Sequence, residues 1–255
     1  FTINDPKSSY EMTFKAPKNV IEPEDGCYVS WHADKFEMLG IDVDMKIPGL
    51  VKDNNGTATK EKPVLNARAS ISDWDDWMID NITIDPFQAT ALPGWTFTAS
   101  DIVYDHSYYR NSNKMGAFPT GYDKSKAGIT SVVTNAEGQN VSVSGNNSWQ
   151  GLYIKEIAIK FPKALEFGTS GDKRLSISAK NMFFDKSGAT LNVSAANILS
   201  AKTGKAGGWS FSLDKVYVSF LQNNFSNCGF SGKFSVPLLS GQIGYDCKIY
   251  RLTSN

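Results

Sequence analysis

Residues 149–197 read WQGLYIKEIAIKFPKALEFGTSGDKRLSISAKNMFFDKSGATLNVSAAN. A Trp leads into Leu152, Ile154, Ile157 and Ile159, and the run breaks at Phe161-Pro162. After a Gly-containing loop, Leu175, Ile177 and Ala179 alternate with Ser176 and Ser178, and a turn follows at Asp185-Lys186-Ser187-Gly188. Period-two alternation bounded by turn residues predicts a strand, a wide loop, a second strand and a turn.

The same plan recurs on both sides of this stretch. Ile41, Val43, Met45 and Ile47 alternate with Asp42, Asp44 and Lys46, and Leu65, Ala67, Ala69 and Ile71 form a returning strand. WTFTASDIVYDHS at 95–107 aligns with LSISAKNMFFDKS at 175–187, matching Phe97 to Ile177, Asp101 to Asn181, Tyr104 to Phe184 and Asp105 to Asp185. The preceding runs IDNITI (79–84) and IKEIAI (154–159) also match, which points to duplication. A further pair is expected from GWSFSLDKVYVSF (208–220) and CGFSGKFSVPLL (228–239), with a last strand at 243–250. Four units thus start near Phe36, Trp77, Trp149 and Trp209. Residues 1–35 read as mostly turn, with one strand near Val29 and Trp31. Residues 108–148 break the rhythm as an irregular excursion, with a hairpin around Ala136-Glu137-Gly138. One helical turn is expected near Pro162–Glu166.

The fold class is therefore all-β, a repetitive antiparallel meander in a curved or two-layered sheet with one long excursion. The expected organisation is a first block over 1–107, the excursion over 108–148 and a second block over 149–255, which together can make one continuous domain. Composition agrees, because aromatic residues are 12% of the chain and strands favour them.

Net charge is zero, with 26 basic and 26 acidic residues, so nucleic acid is not an expected partner. No apolar run reaches the length of a membrane helix. The chain begins at Phe1 in a loop-like stretch, as expected of a piece processed or cut from a longer protein. The plainer expectation for Cys27, Cys228 and Cys247 is free thiols, with a Cys228–Cys247 bridge as the alternative.

Candidate chemistry concentrates at 73–85 and 104–111. Asp73, Asp75, Asp76, Asp80 and Asp85 suggest a glycosidase carboxylate pair, a Ca²⁺ site or a solvated strand face. Strand alternation places Asp76 with Asp80 and Asp73 with Asp75. Trp74, Trp77, Tyr108 and Tyr109, with Asp76, Asp80, Arg110 and Asn111 nearby, are candidate glycan-binding residues. Trp149 and Trp209 each precede a strand and read as core anchors. Asp105, His106 and Ser107 are adjacent in an extended segment and cannot form a relay. No catalytic constellation, metal site or cofactor motif is found.

The motifs DWDDWMIDNITIDPF, VYDHSYYRNSNKMGAFPTGY, WQGLYIKEIAIKFPKAL and GGWSFSLDKVYVSFLQNNF together resemble segments of very large Bacteroidota proteins associated with contractile injection system gene clusters. The resemblance spans about residues 26–250. It implies an extracellular or particle-associated segment of a giant bacterial protein, with other segments or subunits of the assembly as partners, and it carries over no catalytic residue. The leading expectation is a structural or interaction module. The alternative is a carbohydrate-binding module using exposed Trp and Tyr, and behind both stands a glycoside hydrolase fragment.

Overall fold

The computed structural model describes residues 2–5, 10–18, 26–134, 138–165, 173–206, 208–236 and 241–251. The chain is all-β, a large antiparallel sheet not closed into a barrel. Among the described residues nineteen strands run in chain order: β1 (Thr2–Asp5), β2 (Tyr10–Phe14), β3 (Tyr28–His32), β4 (Lys35–Lys46), β5 (Leu50–Asn54), β6 (Thr57–Ala58), β7 (Val64–Asp73), β8 (Asp76–Ala89), β9 (Thr96–Asp105), β10 (Val132–Thr134), β11 (Asn140–Ser142), β12 (Gly151–Lys160), β13 (Ser176–Asp185), β14 (Gly188–Leu199), β15 (Lys205–Ala206), β16 (Trp209–Phe211), β17 (Leu213–Leu221), β18 (Asn224–Ser235) and β19 (Gln242–Tyr250). The main sheet runs β1-β2-β4-β7-β8-β9-β12-β13-β14-β17-β18-β19 through antiparallel neighbours. β9 pairs along its length with β12, so the two expected blocks join in one sheet. Among the described residues no helix is long and apolar enough to cross a membrane.

The turns follow local chemistry. Ala33-Asp34, Asn55-Gly56 and Gln222-Asn223 all have positive φ, the backbone that two-residue hairpin turns need. The two aligned segments share a conformational signature as well. Asp101 and Asn181 sit at matching positions with φ of 46° and 47°. Asx residues tolerate this left-handed region better than other L residues. β9 and β13 flank β12 at matched heights, since Ile159 pairs with both Phe97 and Ile177, and Leu152 with both Tyr104 and Phe184.

One face of the sheet, the front, carries the excursion. Met78, Val103, Tyr153 and Phe183 from the sheet meet Tyr122, Ala127 and Trp149, with Met115, Phe118 and Ile129 packed alongside. Residues 115–129 of the excursion, with Trp149, therefore form a second layer, and this irregular chain closes the core. Trp149 is fully buried and meets Phe183 edge-on at 5.9 Å. Its indole Nε1 donates to Asp185 Oδ2 at 2.9 Å, and the Tyr122 hydroxyl donates to the same oxygen. Burial of Tyr122 and its bond to Asp185 push the phenol well above its ordinary value.

Several expectations need correction. Residues 1–14 contain two strands, β1 and β2, where turn was expected. The turn at 185–188 leads directly into a strand not expected from the sequence, β14, which pairs with both β13 and β17. Trp209 is not a buried anchor: it lies in β16, is 46% exposed and stacks on Phe234. Cys228 and Cys247 are free thiols, the plainer of the two expectations, and the alternative bridge does not form. Cys228 pairs with Ile249 and Cys247 with Phe230, so the two cysteines are diagonal neighbours. Diagonal Cα atoms lie about 7–8 Å apart, beyond the roughly 4.4–6.8 Å that a disulfide spans. The β10–β11 hairpin forms as expected, with its turn residues Ala136 and Glu137 outside the described residues. The helical turn is a 3₁₀ turn at Lys163–Leu165, and Glu166 lies outside the described residues.

Candidate functional site

Two features stand out, a polar corner on the front and an apolar back. The corner begins at the end of β9. Asp105 Oδ1 accepts the Ser107 N–H at 2.9 Å, an Asx turn that lifts the chain off the sheet. Ser107, fully buried, then accepts the N–H groups of Tyr109 and Arg110 through Oγ, at 3.2 and 3.3 Å. Further on, Ser112 Oγ donates to the Asp80 carbonyl at 2.6 Å and accepts the Lys114 N–H at 3.0 Å. Asn111 Nδ2 donates to the Asn146 carbonyl at 2.7 Å. These bonds lay residues 107–114 across β8, β7 and β4.

Beneath this segment the register places Gly40, Ser70, Met78 and Asp105 side by side. Arg110 reaches over them, with Nη2 toward the Ser70 carbonyl at 3.5 Å and Nη1 toward Met38 Sδ at 3.4 Å. A cleft of about 510 Å³ opens beside it, lined by Asp42, Asn66, Arg68, Met78, Asp80, Asn81 and residues 111–114. Asn66 Nδ2 donates to Asp42 Oδ1 at 2.9 Å and to Asp44 Oδ1 at 3.0 Å. Arg68 Nε is 3.8 Å from Asp80 Oδ2.

Burial raises the Asp80 carboxyl to about 6, opposed by Arg68, Arg110 and Lys114 and helped by Asp42. Burial raises Asp105 to about 7, against the Ser107 N–H and Arg110, with Asp76 adding to the rise. Five buried side-chain atoms among the described residues lack a protein partner, and all belong here: Asp76 Oδ1, Asn81 Oδ1, Asp105 Oδ2, Arg110 Nε and Asn111 Oδ1. Buried polar groups are nearly always paired, and each exception costs about 1–3 kcal/mol.

The sequence candidates divide between the two faces. Asp76, Asp80, Arg110 and Asn111 come together in the front corner, with Asp76 accepting the Ser72 hydroxyl. Trp77 alternates with Asp76 and Met78 and so lies on the back, stacked on Tyr104 at 5.3 Å. Trp74 is 87% exposed in the β7–β8 turn. Tyr108 and Tyr109 pack edge to face beyond His106, outside the cleft. Asp73 ends β7 and Asp75 lies in the turn after it, so these two do not form the expected strand face. Asp85 pairs with Lys52 at 3.1 Å. The aromatic side chains and the polar cleft thus do not form one platform. Sequence reading missed Asp42, Asn66 and Arg68, whose only signal was the polar side of an alternating strand.

The back face is apolar from edge to edge. One row of directly paired residues runs Met12, Met45, Leu65, Ile84, Ala99, Ile157, Ala179, Val193, Val218, Cys228, Ile249, eleven strands wide. The next row runs Phe87, Phe97, Ile159, Ile177, Ala195, Val216, Phe230, Cys247. The front counterparts Lys180, Asn192, Ser219 and Asn227 line a hollow under Ala117, Pro119 and Thr120, which assigns the two faces. Ile157, Ile177, Val216, Phe230 and Ile249 are 38–50% exposed, and none of either row is buried. Toward the other ends of the strands Val43, Ile154 and Met182 are buried.

Comparison with protein-family models, curated proteins and solved structures finds no match.

Proposed function

We propose that the chain is an interaction module of a larger extracellular or particle-associated assembly, and that its back face packs against a second apolar β-layer supplied by a neighbouring segment or subunit. The observation that carries this reading is the uncovered double row of apolar side chains. An antiparallel sheet keeps one face dry and one wet. Here the excursion and the polar side chains take one face, while no residue of the two apolar rows is buried and Ile157, Ile177, Val216, Phe230 and Ile249 are exposed. Eleven strands at about 4.8 Å spacing span roughly 50 Å. A band two to three side chains deep covers on the order of 800 Å², the size of one side of a standard protein interface. Contiguous apolar patches beyond a few hundred Å² mark interaction sites. The rows carry no charge, so nothing in them repels a second apolar sheet.

The test is a paired substitution, Ile157→Glu with Val216→Glu. The parent chain is expected to bind an apolar fluorescent dye and to self-associate in sedimentation. The variant is expected to lose both while keeping its β-sheet circular dichroism. A parent that is monomeric and silent to the dye would overturn the reading.

A further inference from the structure

The β19 end of the sheet carries a separate conclusion, independent of what covers the back face. Among the described residues β19 pairs with β18 alone, over the whole stretch from Gln242 to Tyr250. That pairing has no register shift, and the strand, QIGYDCKIY, has no proline. An open edge is a template for a further strand, and proteins ordinarily blunt it with a bulge, a proline or short length. The other end of the sheet is blunted in this way: β1 has four residues, and β3 has five with a register shift against β4. β19 has no such protection.

Its side chains say which strand fits. Ile243, Tyr245, Cys247 and Ile249 lie on the apolar back, and Gly244, Asp246, Lys248 and Tyr250 on the front. Asp246 and Lys248, 3.7 Å apart, both have side chains at least half exposed. When β19 pairs antiparallel with β19 of a second copy, back meets back only if one residue lies on the two-fold axis, since a slip of one residue turns the apolar side over. With Asp246 or Lys248 on the axis, that residue opposes its own like charge, which destabilises the pair. With Tyr245 there, both charges face uncharged residues. With Cys247 there, Asp246 opposes Lys248 twice, Tyr245 opposes Ile249, and the exposed Tyr250 ring lies over Gly244, which has open space above it. We propose that β19 is a self-complementary edge through which two copies of the chain join antiparallel about Cys247, in one sheet with both apolar backs on the same side. The paired stretch, residues 244–250, buries less than the roughly 1,200 Å² of a standard interface, so the contact is transient. Opposed Cα atoms lie about 4.5–5.5 Å apart in antiparallel strands, inside the roughly 4.4–6.8 Å that a disulfide spans, so the two Cys247 thiols can trap it.

The test is oxidative trapping with copper phenanthroline, read as covalent dimer on a non-reducing gel, with circular dichroism confirming the sheet of every variant. In the unaltered chain the linked peptides are expected to be Cys247 with Cys247. The Cys27→Ser, Cys228→Ser chain keeps Cys247 as its one thiol and is expected to be trapped as fast as the parent. Asp246→Lys in that chain sets lysine against lysine at both charged pairs and is expected to slow trapping at least about tenfold. Adding Lys248→Asp restores opposite charges and is expected to restore the rate. Ile157→Glu with Val216→Glu is expected to leave trapping unchanged, which separates this edge from the back face. A chain that stays monomeric under oxidation, a linkage through Cys27 or Cys228 in place of Cys247, or equal trapping of Asp246→Lys would overturn the proposal. So would a charge swap that restores nothing, or loss of trapping in the back-face variant.

Discussion

Asp105 and Asp185 are the same residue of the repeat in two different surroundings. Both close a strand beside β12, and both accept the N–H of the serine two residues on, at 2.9 and 2.7 Å. Both lie four residues beyond an Asx residue of positive φ. Their second oxygens differ. Asp185 Oδ2 takes the indole proton of Trp149 and the hydroxyl proton of Tyr122. Asp105 Oδ2 takes none, and its nearest charged neighbours are Arg110 and Asp76. One copy is completed from within the chain and helps to seal the core. The other is built on the same backbone, and its second oxygen has no protein partner. Gly151 sits between them, where an added Cβ would lie 2.8 Å from the Trp149 ring and 2.4 Å from the Phe184 carbonyl. The same turn occurs twice, and only the Asp185 copy receives the indole of Trp149.

Removing that tryptophan is the strongest way to break the contrast. Trp149→Ala should cost about 3–5 kcal/mol in chemical denaturation. A midpoint equal to that of the parent would mean that the sealed corner is not what holds the excursion down.

The next largest effect belongs to the other copy and has the opposite sign. The folded Asp105 carboxyl sits near 7, above its ordinary 3.8, so its proton is held by the fold. Stability from this group is therefore full below about pH 4 and is lost as pH rises through about 7. Asp105→Asn keeps the acceptor for Ser107 and removes the titration. Its gain over the parent should be absent near pH 4 and grow to at most about 4 kcal/mol above pH 8. A stability difference that does not change with pH would contradict the assignment.

Asp185→Asn should instead destabilise by about 1–3 kcal/mol at neutral pH, because an amide presents a donor where two donors already point. Equal responses of Asp105→Asn and Asp185→Asn would erase the distinction between the corners. The smallest effect is expected for Trp209→Ala. This ring is 46% exposed and touches Phe234 at 6.0 Å, so the loss should stay below about 1 kcal/mol. A loss as large as that of Trp149→Ala would restore it as a second anchor.

Much of the sheet was legible because alternation is a local property. Ile41, Val43 and Met45 against Asp42 and Asp44 declare two faces without reference to any neighbour. β14 escaped because its apolar side is mostly Ala and Val and its other side is Asn and Ser, a composition that reads equally as loop. Trp209 was misplaced because a Trp before a strand looks the same whether Ser212 lets the strand continue or, as here, separates β16 from β17. Of the candidate site, Asp76, Asp80, Arg110 and Asn111 were visible as polar residues near turns. Their convergence with Asp42, Asn66 and Arg68 depends on bringing together segments up to 69 positions apart in sequence, from Asp42 in β4 to Asn111 in the excursion.

The sequence by itself determined the all-β class, the hairpin pairs and the burial of Trp149. Each of these rests on side-chain alternation or on turn chemistry within a few residues. Tertiary structure alone decided which face the excursion covers, which copy of the aspartate receives a tryptophan and which apolar face stays open. Those outcomes depend on contacts between distant segments. Period-two patterning fixes that a strand has a dry side, but what comes to lie against that side is settled only when the whole sheet has assembled.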